Sequence, residues 1–211
     1  MLDKTIPYQS IIMKCEYPYD VSDICLPAGF SFRFFCDKDE QHWSRIETSV
    51  LEFATAEEAN RYYSCMFMPY REQLLTRCIF IENPDGIPVA TATAWYVDSE
   101  LGHQAALHWV AVCPEYQGLG LGKAVVQKAM QVFQQAEPQK AVWLHTQTWS
   151  HKAIRLYASL GFCIAKTAKL ASYDPFTNIM QYEQTELIEA IDVLHSIWDP
   201  CDVQQLVNRA L

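Results

Sequence analysis

Runs in which apolar residues recur every second position alternate along this chain with runs in which they recur every third or fourth, so strands and amphipathic helices are interleaved. Residues 30–35, Phe-Ser-Phe-Arg-Phe-Phe, alternate in part and read as the first main strand. Residues 37–40 supply an acidic first turn for a helix running toward Phe53. Thr55 caps a second helix, with Glu58 in capping-box spacing; it reaches the region of Met66 and ends before Pro69. Residues 75–81 and 87–97 flank the turn Asn83-Pro84-Asp85-Gly86 and read as a hairpin. A polar loop over 98–104 leads to residues 107–112, apolar on nearly both faces and suited to a central strand.

Beyond Gly120, Leu121, Ala124, Val125, Ala129, Val132 and Phe133 share one helical face, and Pro138 follows the end. Residues 141–145 form the next strand. The helix after it places Ala153, Leu156, Tyr157 and Leu160 at core spacing and stops at Gly161. Residues 162–168 and 178–183 read as a final strand pair separated by Asp174-Pro175, and 186–198 as an amphipathic helix that Pro200 separates from a short last one. The organisation expected is an N-terminal extension over 1–29 packing on one α/β domain over 30–184, then a C-terminal helical extension over 185–211. The extension before Phe30 holds one short extended candidate, 10–13.

A chain of 211 residues, half of them hydrophobic, can bury about 70% of its unfolded surface without metals or disulfides. No run of about 18 apolar residues is present, which argues against a membrane span. The start, Met-Leu-Asp-Lys-Thr, lacks a secretory pattern, so a cytoplasmic protein is expected. On that basis the eight scattered cysteines read as reduced and mostly buried. His103, His108 and Cys113 are too loosely spaced for a zinc site, so no metal is expected. A net charge of -9 disfavours nucleic acid and anionic membrane as partners, although backbone amides can still hold a phosphate locally.

The sharpest chemical signal runs from Val110 to Lys123: Val-Ala-Val-Cys-Pro-Glu-Tyr-Gln-Gly-Leu-Gly-Leu-Gly-Lys. A strand enters and a helix leaves. Glycines let the backbone approach a ligand, and first-turn amides point at whatever lies above, a geometry suited to phosphate or pyrophosphate. The spacing fits neither a dinucleotide fingerprint, whose third glycine would fall at Lys123, nor a Walker A loop, because Ala124 follows Gly122-Lys123.

These residues resemble the GCN5-related N-acetyltransferase (GNAT) superfamily, whose pyrophosphate motif is met by Gln117, Gly120 and Gly122. A second stretch agrees: Ser150 and Ala153 precede Leu156-Tyr157, then Gly161-Phe162, as in the family's later motif. The resemblance implies a central mixed twisted sheet of six to seven strands, flanked by helices and splayed at its central parallel pair. It makes 30–184 an N-acetyltransferase domain that uses acetyl-coenzyme A as acyl donor, without a metal, by direct attack of an amine in a ternary complex.

It implies that amides of Gln117, Gly118, Leu119, Gly120, Leu121, Gly122 and Lys123 wrap the pyrophosphate. The edge of Val110, Ala111 and Val112 would pair with the pantetheine arm, and Ser150 and Ala153 would touch the coenzyme. Tyr157 would protonate the departing thiolate, and a phenol of ordinary pKa near 10 suits that donor. The general base stays open. His108 interrupts an apolar strand and shares its parity with Val110 and Val112; it is either a base or water relay or a structural histidine. Glu100 and His103 are further candidates, whereas His145 and Cys113 lack a supporting constellation. The acceptor is expected to be a small-molecule or peptide amine, and the acidic and aromatic content of 38–70 tolerates a cation. The competing readings are an inactive coenzyme A-binding regulatory or scaffold module and an acyltransferase for another acyl-CoA. A homodimer is compatible with all three.

Overall fold

The computed structural model describes residues 2–21, 24–99, 102–166, 168–170, 180–182 and 184–210. In chain order its elements are β1 (Ser10–Cys15), β2 (Ser31–Phe34), α1 (Asp39–Ser49), α2 (Ala56–Met66), α3 (Arg71–Arg77), β3 (Cys78–Glu82), β4 (Pro88–Ser99), β5 (Gly102–Val112), α4 (Leu121–Ala136), β6 (Val142–Gln147), α5 (His151–Ser159), β7 (Cys163–Ile164), β8 (Ala168–Leu170), β9 (Met180–Tyr182), α6 (Gln184–Ile197) and α7 (Pro200–Asn208). Strands of both orientations make a mixed sheet accompanied by helices. The chain forms two compact units, Val21–Trp95 with Leu107–Pro138, and Leu2–Asp20 with Tyr96–Ala106 and Gln139–Leu211. Strands β4 and β5 contribute residues to both.

In the first unit β2, β3 and β4 pair antiparallel, from Ser31↔Glu82 to Phe34↔Ile79 and from Cys78↔Thr93 to Ile81↔Ala90. The expected hairpin is present: Asn83 Oδ1 accepts from the amides of Asp85 (3.1 Å) and Ile87 (2.9 Å). Its first strand starts later than the apolar run predicts, because residues 71–77 form α3 with Leu74 inward, and the strand begins at Cys78. Thr55 accepts from the Glu58 amide at 3.1 Å, so α2 begins as its cap predicts. Arg77 and Glu137 form a buried ion pair at 2.9 Å, and Arg77 also donates to the Ala94 carbonyl at 3.2 Å, so neither charge is left uncompensated. The core gathers Trp43, Tyr63, Phe67, Phe80 and Phe133.

In the second unit β1 lies between β6 and β7, antiparallel to both, with registers from Ser10↔Gln147 to Cys15↔Val142 and Lys14↔Cys163. The extended candidate of the N-terminal stretch is thus an interior strand, with Ile11, Ile12 and Met13 fully buried, and it precedes the strand expected to come first. Strand β6 runs parallel to β5 through Ala105↔Val142 and Ala106↔Trp143. The stretch expected as a polar loop is strand at 98–99 and 102–104, because the outward positions of an extended chain accept polar side chains such as exposed His103 while Ala105 and Ala106 stay inside. The expected first strand of the final pair, 162–168, does not pair as a whole: Cys163–Ile164 joins β1, and the partner of β9 is the later β8, Ala168↔Tyr182 to Leu170↔Met180; Asp174-Pro175 lies outside the described residues. Helix α6 packs on β1. Pro200 starts α7, where its missing N–H costs nothing, and Asp199 caps it by accepting from the Cys201 amide at 2.8 Å. Arg155 of α5 stacks over Trp198 at 4.4 Å and meets Asp202 at 3.0 Å.

Candidate active site

The glycine-rich segment lies wholly in the first unit. Strand β5 ends where the Cys113 amide donates to the Val89 carbonyl at 2.8 Å, and a 3-10 turn over Pro114–Tyr116 follows. Asn83 Nδ2 holds the Tyr116 hydroxyl at 3.0 Å, and Gln117 Nε2 folds back to the Val112 carbonyl at 2.9 Å, so the turn is braced from both sides. Gly118 (φ 83°) and Gly120 (φ 82°) then take left-handed conformations that disfavour other residues by about 1–2 kcal/mol. A Cβ at either glycine would meet nothing within 4 Å. Conformation, not crowding, demands glycine here, and the backbone lies open.

Gly120 is the N-cap of the 16-residue α4, whose first ladder bond runs from the Ala124 amide to the Gly120 carbonyl at 3.1 Å. The amides of Leu121, Gly122 and Lys123 therefore precede the ladder and face out along the axis, at the positive end of the helix dipole. Leu121 anchors this end in the core, while Leu119 is 48% exposed and Lys123 is on the surface. All six residues that share the expected apolar face of α4 are buried.

Upstream, Val110 and Val112 are half-buried and Ala111 is buried. Between them and half-buried His108 stands Trp109 with φ 52°, a left-handed residue inside a strand. Such a residue interrupts the two-residue alternation, so the parity linking His108 to Val110 and Val112 does not carry across it. For a bulky residue this conformation costs of order 1–3 kcal/mol and persists only when surroundings enforce it. Here they do: the Trp109 ring stands 5.3 Å from Trp43, 5.3 Å from Phe53 and 5.0 Å from Tyr62.

Helix α1 adds an unexpected feature. Glu47, one turn beyond Trp43, is 1% exposed, and its Oε1 has no hydrogen-bond partner. Burial, and next the neighbouring Glu52 carboxylate, push its carboxyl well above the usual range. Sequence hid this residue, because a glutamate on a helix ordinarily reads as a solvated face. A carboxyl with a raised folded pKa binds more protons folded than unfolded, so its contribution to stability declines as pH rises above about 4.5. Glu47→Gln removes that decline. In thermal unfolding followed by circular dichroism, the variant should match wild type near pH 4.5 and exceed it in Tm by roughly 3 °C or more near pH 8, about what 1 kcal/mol gives a chain of this size. A gap independent of pH would contradict the protonated carboxyl.

The second unit carries Ser150, Ala153 and Tyr157. Their spacing of three and four places them on one side of α5 and its approach. Ser150 makes no side-chain cap bond and is half-buried, as is Ala153; Tyr157 is buried, its ring 5.9 Å from Phe162. The approach to α5 is tied to the N-terminal stretch: Thr148 Oγ1 donates to the Pro7 carbonyl (2.6 Å) and accepts from the Gln9 amide (2.9 Å), and Trp149 Nε1 donates to the Ile6 carbonyl at 2.8 Å. Among the secondary candidates, His103 stacks on Tyr96 at 4.4 Å, His145 Nε2 is 3.4 Å from Ser10 Oγ, and buried Cys113 is 3.6 Å from Arg45; Glu100 lies outside the described residues. All eight cysteines are free thiols, but against expectation only Cys15, Cys78 and Cys113 are buried, and Cys25, Cys36, Cys65 and Cys201 are exposed. Among the described residues no cluster of three His, Cys, Asp or Glu is placed to hold a metal, and no helix is long and apolar enough to cross a membrane.

The model of the Acetyltransferase (GNAT) family matches residues 38–162. The mycothiol acetyltransferase of Rothia mucilaginosa (strain DY-18) is 26% identical over 160 residues, covering 69% of this chain and 44% of that protein. Two solved structures share the fold. A GCN5-related N-acetyltransferase from Sphaerobacter thermophilus matches with a TM-score of 0.57 at 18% identity, over 75% of this chain and 49% of the other. A GNAT-family acetyltransferase from Colwellia psychrerythraea matches with a TM-score of 0.57 at 12% identity, over 77% and 55%. The chain thus spans about half the length of these relatives.

Proposed function

The chain belongs to the acetyltransferase (GNAT) family, and on that premise we propose that it transfers an acetyl group from acetyl-coenzyme A to an amine by direct attack in a ternary complex. The observation that carries this reading is the open amide row over 118–123, formed by two left-handed glycines at the start of a long helix. A pyrophosphate is the ligand whose charge and size match it. Gln117, Gly118, Leu119, Gly120, Leu121, Gly122 and Lys123 would hold that group, and the backbone of Val110, Ala111 and Val112 would align the pantetheine arm. An amide near Val110 would polarise the thioester carbonyl.

In the reaction an ammonium acceptor first loses a proton, to a base or water relay for which His108 is the proposed residue. The amine nitrogen attacks the thioester carbon, the tetrahedral intermediate collapses with loss of the C–S bond, the thiolate takes a proton from the Tyr157 hydroxyl, and the second proton of the nitrogen returns through solvent to the Tyr157 phenolate. Acetamide, coenzyme A and one net proton result. Ser150 and Ala153 would line the coenzyme. Positioning two substrates together supplies much of the acceleration.

Calorimetric titration with acetyl-coenzyme A tests the reading, followed by thiol release with a panel of amines. Binding with a Kd of about 1–100 μM, the usual range for an enzyme substrate, and amine-dependent release are expected; no heat and no release would refute the proposal. Tyr157→Phe should lower kcat by about 100-fold while leaving coenzyme affinity within about twofold, since a general acid acts only on the chemical step. An unchanged kcat would make Tyr157 a packing residue.

A further inference from the structure

The chain leaves β6 for α5 at Thr148, and a side chain makes the change of direction possible. In an antiparallel ladder the two residues of a hydrogen-bonded pair exchange both N–H···O bonds. Past Ser10↔Gln147, Gln9 faces Thr148, and backbone makes only half of that exchange: the Thr148 amide donates to the Gln9 carbonyl at 2.9 Å. The other half goes to the side chain, because the Gln9 amide donates to Thr148 Oγ1 at 2.9 Å. The Thr148 carbonyl, released from the sheet, accepts from the His151 amide and closes the 3-10 turn Thr148–Ser150. One hydroxyl thus stands in for its own main-chain carbonyl, which ends the strand and starts the turn.

Local devices do not hold this turn in place. Neither it nor α5 has a side-chain cap, and α5 has no acidic residue in its first turn. Residues 2–9 supply what is missing. Thr148 Oγ1 also donates to the Pro7 carbonyl at 2.6 Å, Trp149 Nε1 donates to the Ile6 carbonyl at 2.8 Å, and the Trp149 carbonyl accepts from the Asp3 amide at 2.9 Å. The Trp149 ring meets Tyr8 edge-on at 5.0 Å and Lys4 at 5.2 Å. Leu2 is buried at one end of the stretch, and Gln9 Nε2 reaches Glu189 of α6 at 2.9 Å at the other. Ser150, which directly follows Trp149, is therefore placed from outside its own helix.

We infer that residues 2–9 are a strap that sets the affinity for acetyl-coenzyme A, with Thr148 and Trp149 as positioning residues that act through Ser150 and leave the chemical step alone. This rests on the reading in which Ser150 lines the coenzyme, and adds to it the device that holds Ser150 there. Thr148 is 0% exposed, so its effect on the coenzyme passes through the turn and not through contact. Tyr157 lies two helical turns further on and packs against Phe162, away from the strap.

Calorimetric titration of the full chain with acetyl-coenzyme A tests this. Thr148→Val keeps the shape and removes the hydroxyl, and should raise Kd by about tenfold, the worth of a buried hydrogen bond. With an amine that supports thiol release, the same variant should raise the KM for the coenzyme while kcat stays within about twofold. Thr148→Ser restores the hydroxyl and should bind within about threefold of wild type. Ser150→Ala gives the readout that a merely structural role would not move: on that background Thr148→Val should cost less than about threefold, because residues acting through one another are not additive. Equal losses on both backgrounds, or a Kd unchanged by Thr148→Val, overturn the inference. Trp149→Phe keeps a ring, loses the bond to Ile6 and should weaken binding by about fivefold. It decides the matter if Thr148→Val fails to fold, and an unchanged Kd there overturns the inference as well. Absence of binding by the wild type would instead strike the acetyl-transfer reading, and this inference with it.

Discussion

Gly120→Glu is expected to weaken acetyl-coenzyme A binding by at least about 100-fold while the chain stays folded. Two effects add. The N-cap sits at φ 82°, a conformation that costs an L-residue about 1–2 kcal/mol, so the turn must give up some of its shape. The larger effect is charge, because the new carboxylate would stand beside the amides of 121–123, where the proposal seats a pyrophosphate. Two like charges 4 Å apart repel by about 4 kcal/mol at an effective dielectric of 20, more than the 2.7 kcal/mol that 100-fold represents. Folding should survive because nothing lies within 4 Å of the added Cβ. Gly120→Ala shares the conformational cost without the charge and should lose less than about tenfold. Calorimetry reads both variants, with circular dichroism to confirm the fold. A Gly120→Glu variant that binds within tenfold of wild type would mean that the coenzyme is held elsewhere.

Trp43→Ala should cost about 3–5 kcal/mol of stability, the usual loss when a buried aromatic side chain is removed from a core. The residue is 0% exposed and lies 4.9 Å from Tyr63, 5.3 Å from Trp109, 5.8 Å from Phe53 and 6.2 Å from both Tyr62 and Phe67. Five rings lose a shared neighbour at once, and a cavity of that size cannot close by small shifts in a close-packed interior. The loss is a large share of the 5–15 kcal/mol by which a domain is usually stable. Trp109 should respond as well, since its left-handed backbone is enforced by packing. Urea unfolding gives the stability change directly, and a loss below about 1 kcal/mol would show that the cluster is looser than its geometry indicates.

Local signals were legible wherever the physics is local. The Thr55 cap, the Asn83 to Gly86 turn, the core face of α4 and the left-handed glycines each depend on neighbours a few residues away, and each reads correctly from the order of residues. Boundaries decided by packing did not. Residues 71–77 turn into α3 because Leu74 has a buried seat to fill, and 102–104 join β5 because a sheet accepts polar side chains on an open face.

Amino-acid order by itself determined the interleaving of strands and helices, the glycine-rich turn from Gln117 to Lys123 and the two motifs that mark the family. All of these are short-range patterns of backbone preference and apolar period. Only the tertiary structure decided that Ser10–Cys15 is an interior strand, that Trp109 breaks the alternation of β5 and that Glu47 lies buried. Each of those depends on residues distant in sequence: β1 on β6, about 130 positions away, and the backbone of Trp109 on rings from α1 and α2. A residue's own preferences carry about a kilocalorie, and the burial of a large side chain, worth several, overrides them once the chain has folded.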